Sequence, residues 1–218
     1  MSGKMRRTTE RIRKLGMSDR VMSHFQIGWR LFKARAGVFV VSMILLFLSG
    51  IVVALLVLYR SGFAIGLIIL QAWLLLCSGM IVGLRVMALK SVDDRVPRVD
   101  DSFGSLALGP AYLLALTFYC AAVSLGFALL IVPGIYLAIR YCLFAQIITD
   151  KSAGPLAALR DAAGLARGHY AQLGALFLIA FLLNAAGAAI LGLGLVISFP
   201  VSLLAIAGFY RSLQPATA

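Results

Sequence analysis

Read for hydrophobic and polar positions alone, the chain divides into a basic start, six apolar runs and short connections. Lys4, Arg6, Arg7, Arg11, Arg13 and Lys14 make the first residues a cationic arm. From Ser18 the pattern changes: Val21, Met22, Phe25, Trp29 and Phe32 recur every three or four residues, while Arg20, Arg30, Lys33 and Arg35 take other faces. That spacing predicts an amphipathic helix lying in the headgroup layer of a membrane. The charged stretch is too long, and lacks the small-x-small site, for a cleavable signal peptide.

Six apolar runs follow, at residues 38–59, 62–89, 110–132, 134–149, 170–192 and 195–213. Each reaches or approaches the roughly 20 residues that a helical crossing needs, the fourth being the shortest. Arg60-Ser61-Gly62 turns the chain between the first two, Pro133-Gly134 between the third and fourth, and the Gly-rich "GLGLV" at 192–196 between the last two. "SVDDRVPRVDDSFGS", residues 91–105, is the first long polar connection. In "PLAALRDAAGLARG", Pro155 suits the first position of a helix. Leu156, Leu159, Ala163 and Ala166 there share a face that Arg160, Asp161 and Arg167 avoid. The expected fold is all-α: a six-transmembrane-helix bundle with an amphipathic N-terminal interfacial helix and a second interfacial helix between spans four and five. Residues 1–36 form the arm and first interfacial helix, and 37–218 the transmembrane domain.

Composition sharpens this picture. Of the 218 residues 62% are hydrophobic and 13% charged, with a mean hydropathy of +1.00. A soluble domain holds roughly 45–50% apolar and about 25% charged residues, so bilayer lipid is the solvent for this surface. The net charge of +12 would suggest nucleic acid were it spread evenly. Instead ten of the twenty Lys and Arg lie in residues 1–35, and eight more (Arg85, Lys90, Arg95, Arg98, Lys151, Arg160, Arg167, Arg211) fall on the same side of the expected topology. Arg60 alone falls on the other side. Positive charge on inner loops predicts a multi-pass protein of the bacterial cytoplasmic membrane with both termini cytoplasmic. Anionic lipid headgroups are the partner this basic face calls for, and nucleic acid is not required. Cys77, Cys120 and Cys142 sit in apolar runs without metal-ligand spacing, which reads as buried free thiols.

"PGIYLAIRY" at 133–141, the acidic turn at Asp150, "GPLAALRDA" and "ARGHY" together resemble a recurring block of bacterial polytopic membrane families of unknown function. The membrane domain found with some glycerophosphodiester phosphodiesterases looks like a relative. "PVSLLAIAGFYRSL" at the end of the chain and "GWRLFK" before the first span are similar to the same group. The resemblance implies a six-helix bundle with interfacial helices. It transfers no catalytic residue, and the chain has no room for a phosphodiesterase domain.

Among candidate chemistries Arg140 stands first. Counted from Pro133 at about 1.5 Å per residue, it lies roughly 10 Å into the fourth span, and the six spans contain no Asp or Glu. Tyr136, Gln71, Gln146 and Asn184 are neutral groups that could satisfy it. Asp100, Asp101 or Asp150 could do so from a dipping loop. The alternatives are an internal pin, an anion site built from Arg140, Tyr136, Gln71 and Asn184, or a side chain that reaches an interface. Asp93, Asp94, Asp100 and Asp101 around Arg95 and Arg98 read as a self-paired loop rather than a metal site. His24 and His169 read as interfacial histidines, without the neighbours a general base needs. Gly62/Gly66, Gly79/Gly83 and Ala188/Gly192 are close-packing pairs.

No catalytic residue, metal or cofactor emerges. The expectation is an integral membrane protein without enzymatic activity, acting through lipid or partner contacts in an accessory or envelope-homeostasis role. It would work alone, as a homo-oligomer or in a larger membrane complex. The alternative is a transporter or channel for a small anion or amphiphile using Arg140 and the Pro133-Gly134 break. A lipid-headgroup enzyme ranks third.

Overall fold

The computed structural model describes residues 17–60, 63–98, 100–189 and 194–214, and every regular element among them is a helix. In chain order these are α1 (Met17–Arg60), α2 (Phe63–Val92), α3 (Asp100–Gly104), a 3-10 turn (Leu106–Leu108), α4 (Gly109–Leu129), α5 (Ile131–Tyr141), α6 (Phe144–Lys151), α7 (Pro155–Leu165), α8 (Tyr170–Ala189) and α9 (Leu195–Leu213). Six stretches among the described residues are long and apolar enough to cross a membrane: Val21–Val53, Ile69–Val92, Leu106–Leu129, Ile131–Lys151, Tyr170–Ala189 and Leu195–Leu213. The protein is a multi-pass all-α membrane bundle. Its outward side chains, among them Phe47, Leu48, Ile51, Leu55, Phe181 and Leu182, are exposed hydrocarbon of a kind only lipid or another protein covers.

At the centre stands α9, whose residues 200–207 are all buried against α1, α2 and α8. The amphipathic helix expected at the N-terminus is present as the part of α1 before Arg35. A kink at Arg35, whose backbone is non-helical (φ −135°, ψ 24°), divides it from the first span. Its buried face is Val21, His24, Phe25 and Phe32, whereas Met22 and Trp29 face outward. The partner is α9 rather than a headgroup layer: His24 meets Phe209 edge-on at 5.4 Å, and Gly28 lies over Val201 and Ala205. His24 is therefore a packed core residue and not the interfacial histidine expected. Past the bend, α1 packs on α2, with Ser42 against Met87 and Gly50 against Trp73.

The turn between the third and fourth spans also differs from expectation. The chain reverses at Leu130, which is extended (φ −165°, ψ 155°), and Pro133 and Gly134 belong to the first turn of α5. Proline fits there because the first N–H groups of a helix have no intrahelical acceptor. Glycine fits because a Cβ on Gly134 would strike the Phe127 ring of α4. The fourth span is not one helix: it breaks at Cys142-Leu143 into α5 and α6. Phe144–Thr149 of α6 are buried throughout, between α2, α4 and α7.

The second expected interfacial helix exists as α7, and most of its expected apolar face is the one that packs: Ala163 and Ala166 are buried and Leu159 lies against the core. Ala158, Ala162, Ala163 and Ala166 are buried toward α4, α5 and α6, and Leu156 is exposed. Small side chains let this short helix lie close on its neighbours. Of the small-residue pairs, Gly79 packs under Leu106; Gly62, Gly192 and Leu193 lie outside the described residues, as does the cationic arm. The three cysteines are free, but only Cys142 is buried; Cys120 is exposed and Cys77 half-buried.

Candidate functional site

Two arginines organise the polar chemistry, and they do it in opposite ways. Arg211, in the last turn of α9, is neutralised within the chain. Its Nη2 lies 2.7 Å from Asp93 Oδ2 and 2.9 Å from Asp150 Oδ1. Tyr210 Oη and Gln214 Nε2 donate to Asp150 Oδ2 at 3.0 and 2.9 Å. The ends of α2, α6 and α9 are thereby tied into one knot. The loop at 91–105 is only partly self-paired: Asp101 accepts from the Arg98 backbone N–H at 3.0 Å, but its ion pair is with Lys90 at 2.7 Å and Asp93 serves Arg211. Arg35 Nη1, at the bend in α1, donates to the Arg95 carbonyl at 2.6 Å, closing the loop against the first helix.

Asp101 sits where two effects oppose each other. Burial pushes its carboxyl up, but hydrogen bonds from Lys90 Nζ and the Arg98 backbone N–H, with their charges, hold it below the usual carboxylate range. A carboxyl depressed in the folded state stabilises the fold above its unfolded value of about 3.9. That contribution is lost as pH falls through the lower folded value. Thermal unfolding followed from neutral to strongly acidic pH should therefore show a smaller acid loss for Asp101→Asn than for the wild type. Parallel curves would refute the assignment.

Arg140 is the contrasting case. It lies in the last turn of the 11-residue α5, just before the break at Cys142 and within the stretch Ile131–Lys151 that is long and apolar enough to cross a membrane. Its Nη1 donates to Tyr136 Oη at 2.9 Å. The guanidinium lies 5.7 Å from the Tyr136 ring centre and 5.8 Å from that of Tyr141. Tyr136 in turn packs against Tyr170, the first residue of α8, at 5.4 Å, and the charge of Arg167 acts on both tyrosines. The entry to α8 is turned by Gly168 at φ +81°, a left-handed conformation that costs an L-residue roughly 1 kcal/mol or more. This turn sets Arg167 and Tyr170 beside α5, while His169 Nδ1 lies 3.2 Å from the Arg167 carbonyl oxygen.

Among the described residues no carboxylate lies within ion-pair distance of Arg140. Of Asp100, Asp101 and Asp150, the acids expected to reach it, none does: Asp100 is exposed at the start of α3, and Asp101 and Asp150 are held by Lys90 and Arg211. Its Nε is buried without an acceptor. A guanidinium without a counter-ion at membrane depth costs about 2.5–3.5 kcal/mol on insertion scales, and tyrosine faces return only roughly 0.5–2 kcal/mol.

The other expected members of the site are placed differently. Asn184 is spent on the α8–α9 seam, donating to the Ala180 carbonyl and Ser202 Oγ and accepting from Ser198 Oγ. Gln71 is exposed on α2. Gln146 is fully buried within α6, with neither amide atom hydrogen-bonded. Of the four residues grouped from sequence, the structure joins Arg140 and Tyr136, and it adds Tyr141, Tyr170 and Arg167. The "ARGHY" motif carried the missing signal, since its glycine marks a turn and its cation and tyrosine flank it. No family model, no curated protein and no solved structure matches this chain, which leaves the geometry of the Arg140 cluster to carry the functional reading.

Proposed function

We propose that this chain is a bacterial cytoplasmic-membrane protein without catalytic activity, with both termini cytoplasmic, that works through contact with membrane lipid or a partner protein. The observation that supports it is how the polar groups are distributed. Arg211 with Asp93 and Asp150, Lys90 with Asp101, Lys151 with Asp161 at 3.3 Å, and Asn184 with Ser198 and Ser202 each close on one another. What faces outward is apolar helix surface, exposed cations at α1, the 91–105 loop and α7 (Arg30, Lys33, Arg98, Arg160), and the Arg140 cluster with no carboxylate of its own among the described residues, a surface suited to contact. The cation bias of the sequence supports the orientation.

The test is the purified protein in phospholipid nanodiscs, incubated with phospholipids and soluble phosphodiesters with and without divalent cations. The expected result is bound lipid after extraction and no product above empty discs. Product formation that Asp101→Asn or Arg140→Gln abolishes would overturn the proposal.

A further inference from the structure

We infer that the Arg140 cluster is a binding site for the phosphate ester of an amphiphile, with the headgroup between Arg140, Tyr170 and Arg167 and the chain along α5. The inference rests on the lipid-contact reading and specifies it.

The donor set favours phosphate. A guanidinium presents five N–H groups in a planar fork that matches two phosphate oxygens. Among the described residues only Nη1 of Arg140 is committed, to Tyr136, and Nε is buried with no partner. Arg167 is exposed at the neighbouring turn and adds a second positive charge without a paired carboxylate among the described residues. The carboxylates nearest in sequence, Asp150 and Asp161, are held by Arg211 and Lys151. The cluster therefore has positive charge and hydrogen-bond donors, and its counter-ion has to come from outside the chain.

The surface beside it favours an acyl chain. Positions 132, 136 and 140 are one turn apart and share a face of α5. Val132 and Tyr136 are exposed along it, and Ile135 flanks them, also exposed. A headgroup at Arg140 would lay its hydrocarbon along this stripe toward the Leu130 turn. A free phosphate ester would use the same cationic end without the stripe.

The experiment uses the full chain in phosphatidylcholine nanodiscs doped with phosphatidylglycerol. Retained lipid is read by native mass spectrometry, with thermal midpoints as a check on folding. Parallel titrations use glycerol phosphate, which has no chain, and diacylglycerol, which has no phosphate. Arg140→Gln should weaken phosphatidylglycerol retention about tenfold or more, the usual scale for losing a charge-assisted contact. Arg140→Lys, which keeps the charge but loses the fork, and Tyr136→Phe should weaken it several-fold, and they carry the test should the glutamine variant not fold. Arg160→Gln, an exposed cation on α7, should leave retention unchanged.

Glycerol phosphate competing as well as the lipid would assign the same site to a soluble phosphate ester. Diacylglycerol retained equally well would overturn a phosphate site. Wild-type retention in all three variants would overturn the Arg140 assignment while leaving lipid contact intact. No phospholipid retained by the wild type would overturn both.

Discussion

Arg211→Met should lower stability by about 3 kcal/mol, the lower end of the 3–5 kcal/mol seen when one partner of a buried pair is removed. The lower end applies because the side chains of Arg211, Asp93 and Asp150 keep 20%, 24% and 17% of their exposure. One guanidinium answers two carboxylates here. Its loss leaves two like charges facing each other with only Tyr210 and Gln214 to solvate Asp150. For a chain of this length the loss corresponds to a thermal midpoint roughly 6–12 °C lower, measurable in detergent by scanning fluorimetry. Arg211→Lys should fall between, since a point charge cannot serve both acids as a fork does. The decisive variant combines Arg211→Met with Asp93→Asn and Asp150→Asn. Removing the stranded charges should restore most of the midpoint, the non-additivity expected of groups in one network. A single variant that melts with the wild type, or a triple variant no better than the single, would show that the knot does not hold the helix ends.

Gly28→Leu is the second large effect. A Cβ at position 28 would sit 3.1 Å from the Val201 carbonyl oxygen, 3.2 Å from Ala205 N and 3.5 Å from Leu204 Cβ. Two of these are backbone atoms of a buried helix and cannot swing aside. Alanine should be nearly neutral, because the better helix propensity, about 1 kcal/mol, offsets a tight contact. Leucine must push α1 off α9 and should cost about 3 kcal/mol or more, the upper range for overpacking. The separation has its own readout. Arg30 and Lys33 lie on the part of α1 before the bend, so limited trypsin digestion should cut there in Gly28→Leu faster than in the wild type. Identical digestion patterns and midpoints would refute the close approach.

Both predictions depend on contacts that the amino-acid order alone did not reveal. Hydrocarbon length and loop charge were enough to read six spans and two short amphipathic helices, because a bilayer leaves few alternatives for an apolar run. What they could not reveal was which faces meet. Val21, Phe25 and Phe32 carry a helical stripe whether the stripe meets lipid or a helix from the far end of the chain. Only α9, whose middle is buried on every side, shows that it is the latter. Asp93 and Arg211 are 118 residues apart, and no local spacing announces such a pair. Arg140 was identifiable as an anomaly, a cation in a run without acids. Its true neighbours were obscured by taking Pro133-Gly134 as the turn. Moving the reversal to Leu130 and breaking the span at Cys142 brings Arg140 to the entry of α8. Pro-Gly is a strong turn signal, but proline is equally at home in the first turn of a helix.

The single extended residue between α4 and α5 bears on how the protein is made. Leu129, Leu130, Ile131 and Val132 at the tip are all exposed and apolar, and no Asp, Glu, Lys or Arg occurs between Asp101 and Arg140. With one residue between them, the two helices are suited to enter the bilayer as a pair. Nothing polar at the tip has to be carried through the hydrocarbon, so the hairpin can be handed sideways from the synthesis machinery into lipid in one step. The charged ends stay behind to close around Asp150 and Arg211 once the last helix arrives.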